Sequence, residues 1–197
     1  AVGYLGSAVA LGAALPFALS GSYGGAFLSA AALFGVCAIP AFLFLPGDRP
    51  GTMSLAGAVR VGFAQTRQSL RRILALPTMR RFLLGYLCWE DGINTVVFFS
   101  SVFAGHTLGF TTPQVIMLYF VVQLSALLGA WFWGRPTDLK GPKFVLMVTL
   151  VQWCLIVVAA YFVQTKAQFF VVAVLAGTGL GAIQAASRTF MAMLIPK

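Results

Sequence analysis

The feature that most constrains this chain is the length of its apolar runs. A helix that crosses a bilayer needs roughly 20 consecutive, mostly apolar residues. Six stretches approach or meet that need: Val2–Leu19, Gly24–Leu45, Met79–Ala104, Thr112–Trp133, Lys143–Gln164 and Ala167–Leu194. Turn-forming segments separate them, including GSYGG at 21–25, PGDRPG at 46–51 and TTP at 111–113. Thr112 followed by Pro113 reads as a helix start, a side-chain cap and then a first-turn proline. Apolar residues are 60% of the 197, against roughly 45–50% in a soluble domain. A water-soluble fold of this size cannot hide that much apolar surface, so the solvent is a bilayer and the fold class is an all-α membrane protein.

Charge is scarce and segregated. The net charge of +9 would suit a nucleic-acid binder, but the positions of the cations argue otherwise. Arg49, Arg60, Arg67, Arg71, Arg72, Arg80 and Arg81 fall in the 46–81 segment, which runs from the end of the second span into the start of the third. Arg135, Lys140 and Lys143 follow the fourth, and Arg188 and Lys197 lie at the end of the sixth. Only Lys166 stands in an intervening loop, so twelve of the thirteen basic residues share one side. Basic loops are retained in the cytoplasm; both ends of the chain are expected there, with the whole in a bacterial inner membrane. The chain opens AVGYLG without an initiator Met and ends IPK directly after an apolar run, which reads as an internal fragment.

The chemistry-bearing residue types are thin. Cys37, Cys88 and Cys154 lie singly in apolar runs, and His106 is the one histidine. This pattern points to no metal site, no cofactor and no enzyme. In the 46–78 segment, Leu55, Val59, Phe63, Thr66, Leu70 and Ile73 fall on one helical stripe, with Arg60, Arg67, Gln68, Arg71 and Arg72 off it. Such a helix would lie on the inner leaflet with its arginines among anionic headgroups. Gly57 and Gly62 favour the other reading, a flexible linker.

The most specific motif is GRPTDLKGPK, Gly134 to Lys143, between the fourth and fifth spans. Gly134 and Gly141 would permit a tight turn, Asp138 could bond a helix N-terminus or an arginine, and Lys143 would anchor the turn at headgroups. This G-x3-D-x2-G-x-K skeleton resembles the signature loop of the major facilitator superfamily, except that Leu139 stands where a basic residue usually follows the acid. The resemblance implies a gate motif, which Arg188 would join, after the eighth helix of a twelve-helix bundle. The chain would then hold helices 5–10: residues 1–45 end the N-terminal bundle, 46–78 form a cytoplasmic linker, and 79–197 begin the C-terminal bundle. GYLGS, FLLGYLCWEDGINT and GAIQAASRTFMAMLIP are similar to the Unknown Major Facilitator family, a prokaryotic group related to a fungal vacuolar amino-acid effluxer. Asp91, Gly92 and Thr95, and Gln184, Ser187, Arg188 and Pro196, carry the match, whereas Glu90 departs from it.

Two of the four acids, Glu90 and Asp91, sit side by side in the third span. Asp91 lies eleven residues beyond Arg80, about 16 Å along a helix and near the middle of a ~30 Å hydrocarbon core. A charge there costs about 2.5–3.5 kcal/mol on insertion scales and must face a cavity or a partner. Tyr86, Glu90 and Asn94 share one face, and Cys88, Asp91 and Thr95 lie about 100° round. Two such close carboxylates do not both ionise easily, which is the chemistry of a proton-coupling site. Asp91 is expected to carry the proton, with Glu90 modifying it, and an interhelical clamp is the competing role. Gln123 and Gln184 are further pathway candidates; Tyr119 and Gln123 divide evenly between cavity lining and interhelical bonding. Gly177, Gly179 and Gly181 form a small-residue face for close helix packing.

The function expected is secondary transport of a small solute by alternating access, proton-coupled, with an amino acid implied by the resemblance alone. A non-transporting receptor on the same scaffold and a membrane-embedded lipid transferase are the competing classes. The expected partners are the solute, the lipid bilayer and the remaining helices of a longer chain, with no nucleic acid.

Overall fold

The computed structural model describes residues 2–45 and 54–194. The PGDRPG turn, Arg49, Pro196, Lys197 and the Leu55 side chain lie outside the described residues. Among the described residues eight helices run in chain order: α1 (Val2–Leu19), α2 (Tyr23–Phe44), α3 (Leu55–Ala75), α4 (Pro77–His106), α5 (Thr112–Phe132), α6 (Gly134–Lys140), α7 (Pro142–Tyr161) and α8 (Lys166–Leu194). The six expected spans all appear as helices, with no end displaced by more than three residues. Length and apolarity together qualify four of them to cross a membrane: α2, α5 with α6, α7 and α8. The other two fall short for different reasons. Helix α1 is a shorter apolar helix, whereas α4 has 30 residues but dilutes its hydropathy with Glu90, Asp91 and Asn94. A multi-pass integral membrane chain follows from these helices.

Helix α8 is the hub, packing on α5, α7, α4 and α6, while α1 leans on α5 and on α2. The α5–α8 seam depends on missing side chains. A Cβ at Gly181 would collide with the backbone of Ala126 and Ala130, one at Gly177 with the Val122 carbonyl, and one at Gly129 with the backbone of Thr178. Small residues thus let two backbones touch, the usual adhesive where lipid removes the hydrophobic drive between helices. Across α4, α7 and α8, Met79, Phe82, Ile93, Val145, Trp153 and Ile183 form a core. A second core, with Ala104, Phe110, Leu118 and Phe169, closes the other end.

Three local readings need correction. The cap of α5 is Thr111 rather than Thr112; its backbone N–H donates to Gln114 Oε1 at 3.0 Å, completing a reciprocal capping box. The 134–140 stretch is a short helix, α6, rather than a tight turn: the Thr137 N–H donates to the Trp133 carbonyl at 3.0 Å, and the Thr137 hydroxyl donates to the same oxygen at 2.7 Å. The sharp change of direction falls at Gly141, whose φ of +86° and ψ of 155° suit a residue without a Cβ. The flexible-linker reading of 55–75 fails as well. Ser54 Oγ accepts from the Gly57 N–H at 3.3 Å, and the helix runs through both glycines. Val59, Phe63 and Leu70 are exposed along α3, while Ile73 and Leu76 pack on the α4 core.

At the opposite end, Lys166 Nζ donates to the Gly109 carbonyl at 2.8 Å and to Gln114 Oε1 at 3.1 Å. Its ammonium also stands 5.1 Å from the Phe110 ring centre. The one cation that broke the charge segregation joins the start of α8 to the α4–α5 loop and the first turn of α5.

Candidate functional site

Helix α4 has one packed face and one free face. Met79, Phe82 and Ile93 are buried, and Trp89, Val96 and Val97 pack beside them. Asp91 is nine residues from Phe82, half a turn round at 100° per residue, and is exposed together with Cys88, Asn94 and Thr95. Glu90 is half-buried, as is Tyr86. The adjacent carboxylates therefore face different surroundings. Asp91 stands on the side that α4 turns away from its packing core, and Glu90 stands on the flank of that core. Gly92, between Asp91 and Ile93, has no atom near its missing Cβ.

Hydrogen bonds at Tyr4 join α1 to α8. The Tyr4 hydroxyl donates to Gln184 Oε1 at 2.7 Å, with the Leu180 carbonyl at 3.4 Å. Both Arg188 and Glu90 are close enough for their charges to act on the Tyr4 phenol. Gln184 and Arg188 are one turn apart on α8, so they present amide and guanidinium on one face. Glu90 comes from α4 and Tyr4 from α1. A half-buried phenol and an amide join α1 to α8 in an otherwise apolar bundle, within the field of a carboxylate and a guanidinium. Arg188, expected at the gate, shares this neighbourhood with Glu90. Tyr4 was not singled out from the sequence, although it and Ser7 are the polar side chains of an otherwise apolar α1.

The remaining candidates divide between packing and the interface. Tyr119 Oη reaches the Val97 carbonyl at 3.4 Å and lines a cavity of about 60 Å³ with Ser100, Ser101 and Trp153. Gln123 is half-buried on α5. Gln152 Nε2 donates to the Leu175 carbonyl at 2.9 Å and to Thr178 Oγ1 at 3.1 Å, clamping α7 to α8. In the GRPTDLKGPK segment, Asp138 and Lys143 are exposed, Gly134 and Gly141 half-buried. Helix α6 touches α5, α7 and α8, so this motif sits where three helix ends meet.

Residues 9–197 match the family model described as vacuole effluxer Atg22 like. The chain is 32% identical over 135 residues to the uncharacterized MFS-type transporter YxiO of Bacillus subtilis, covering 68% of this chain and 31% of that protein. It is 25% identical over 149 residues to autophagy-related protein 22 of Vanderwaltozyma polyspora, covering 69% of this chain and 28% of that protein. The Cryptococcus neoformans autophagy-related protein 22 is 26% identical over 178 residues, with 80% of this chain and 33% of that protein covered. The chain thus spans about a third of the length of the curated relatives it matches. No solved structure matches. Tyr4 precedes the matched residues, so its bond to Gln184 reaches beyond the segment that the family model describes.

Proposed function

We propose, from the premise that this chain belongs to the Atg22-like vacuole effluxer family of the major facilitator superfamily, that it forms part of a secondary active transporter. The cargo is a small polar solute, moved by alternating access. The observation that carries the reading is the Tyr4–Gln184 hydrogen bond between α1 and α8 in an apolar bundle, with the charges of Glu90 and Arg188 acting on the same phenol. Charged groups at membrane depth are costly unless they serve a pathway or a partner, and sites of this kind lie where helices of the two halves face each other.

An amino acid fits the charges. Its carboxylate would pair with Arg188, its ammonium with Glu90, and the Tyr4 and Gln184 side chains would complete the hydrogen bonds. Asp91, on the free face of α4, would take and release the coupling proton with Glu90 as modifier. Asn94, Thr95, Tyr86 and Gln123 would line the same pathway. In this reading α1 and α2 end the first bundle, 46–78 links the halves, and 79–197 begins the second, as helices 5–10 of twelve. The basic loops face the cytoplasm of a bacterial cell, with the α3 arginines on anionic headgroups and the Gly134–Lys143 segment gating that side.

Counterflow of labelled amino acids into vesicles holding the full-length protein tests the reading. Wild-type protein should exchange solute; Arg188→Gln and Glu90→Gln should each raise KM. Asp91→Asn should keep exchange but lose uptake driven by a pH gradient. Absence of exchange with every amino acid removes the proposed cargo, and unchanged coupling in Asp91→Asn removes the proposed proton site.

A further inference from the structure

A broad concavity lies away from Tyr4 and Gln184, where α5 ends, α6 runs and α7 begins. Its volume is about 960 Å³, and its walls include Trp131, Trp133, Arg135, Lys140, Phe144 and Val148. One water needs about 30 Å³, and small-molecule sites run to about 1,000 Å³, so the space suits an organic ligand rather than an ion. The lining is graded. Arg135 and Lys140 stand on α6, at the end where the two spans leave the membrane. Phe144 and Val148 are one turn apart along α7, leading back into the span, and Trp131 is in the last turn of α5. Lys140 Nζ stands 4.9 Å from the centre of the Phe144 ring, so the cation caps the apolar wall. Trp131 is 78% exposed and Leu139 78% exposed, a large apolar surface left open beside two cations.

We infer that this pocket binds one anionic phospholipid. Its phosphate lies between Arg135 and Lys140, and an acyl chain runs along Phe144 and Val148. A soluble anion would leave the aromatic walls wet. An apolar helix laid in the same space would bury two cations with only the Asp138 carboxylate beside them, leaving one charge uncompensated, which is costly at any depth. A phospholipid satisfies both ends, and two cations against the single carboxylate of Asp138 favour a negative headgroup. Tryptophans at the membrane–water boundary are the usual companions of such a site. The inference rests on the helices spanning a bilayer and is independent of what the protein transports.

Fluorescence decides it. In the full-length protein, Trp89→Phe and Trp153→Phe remove two indoles whose N–H groups are buried without a partner, leaving Trp131 and Trp133 to report from this segment; any other tryptophans of the full chain are replaced likewise. Brominated phosphatidylglycerol and brominated phosphatidylcholine are compared as quenchers in otherwise identical vesicles. Phosphatidylglycerol should associate roughly 5- to 10-fold more strongly. Raising salt should shrink that preference, as should Arg135→Gln with Lys140→Gln. Equal quenching by the two lipids overturns the inference, and so does a preference indifferent to salt. Quenching by neither lipid also overturns it, because protein then covers the pocket. If the double variant does not fold, the salt series on the parent protein gives the same decision.

Discussion

The α5–α8 seam and the free face of α4 are opposite solutions to life in a bilayer. Along the seam, Gly129, Gly177 and Gly181 bring two backbones together until no added carbon fits. On α4, Asp91, Asn94 and Thr95 are exposed, and Gly92 beside them has open space around it. The seam gains stability from contact area and tolerates no change of shape. The polar face gives up packing, and its residues are free to meet water, solute or another helix. A chain that places Asp91 where packing is loosest keeps a polar face apart from the seam that holds its helices.

Substitutions can break or sharpen that contrast. The largest expected effect is at the seam: Gly181→Val would drive side-chain carbons into the Ala126 and Ala130 backbone. Its cost should exceed the ~1–3 kcal/mol of ordinary overpacking, seen as loss of folded protein in detergent by size-exclusion chromatography. Next comes Gly141→Ala. A Cβ there meets nothing, so the expected ~1–3 kcal/mol is backbone strain at a φ of +86°, read as a lowered Tm. Tyr4→Phe deletes the hydrogen bond to Gln184 and should cost about 0.5–1.5 kcal/mol in the same thermal assay. The smallest stability change is expected for Asp91→Asn, within ~0.5 kcal/mol as for other exposed positions. If Asp91→Asn lowers Tm more than Tyr4→Phe does, the free face is a packed surface in the whole protein and the contrast fails.

Much of the architecture was legible because hydropathy and turn chemistry act locally. Six helices could be outlined from run length, and Leu55–Ala75 from the alternation of arginines with Val59, Phe63 and Leu70. What could not be read is which side of each helix is inside. Helices α1, α5 and α7 are apolar nearly all round, so no stripe marks the packing face. Spacing alone put Glu90 and Asp91 100° apart, but only packing against Val145, Trp153 and Ile183 decides that Glu90 flanks the core and Asp91 does not. Tyr4 escaped notice for the same reason. Its partner lies 180 residues away, and nothing local in GYLGS announces it. The Gly134–Lys140 helix was hidden because Gly134, Pro136 and the following Gly141 argue for a turn. Pro136 lies in the first turn, where a missing N–H costs nothing.

The Lys166 clamp has a mechanical consequence. Its three tethers, to the Gly109 carbonyl, the Gln114 amide and the Phe110 ring, fasten α8 to the start of α5 at the end opposite the basic loops. Two rods pinned at one end and packed backbone to backbone along their length move as one body, so any rocking would carry α5 and α8 together rather than part them.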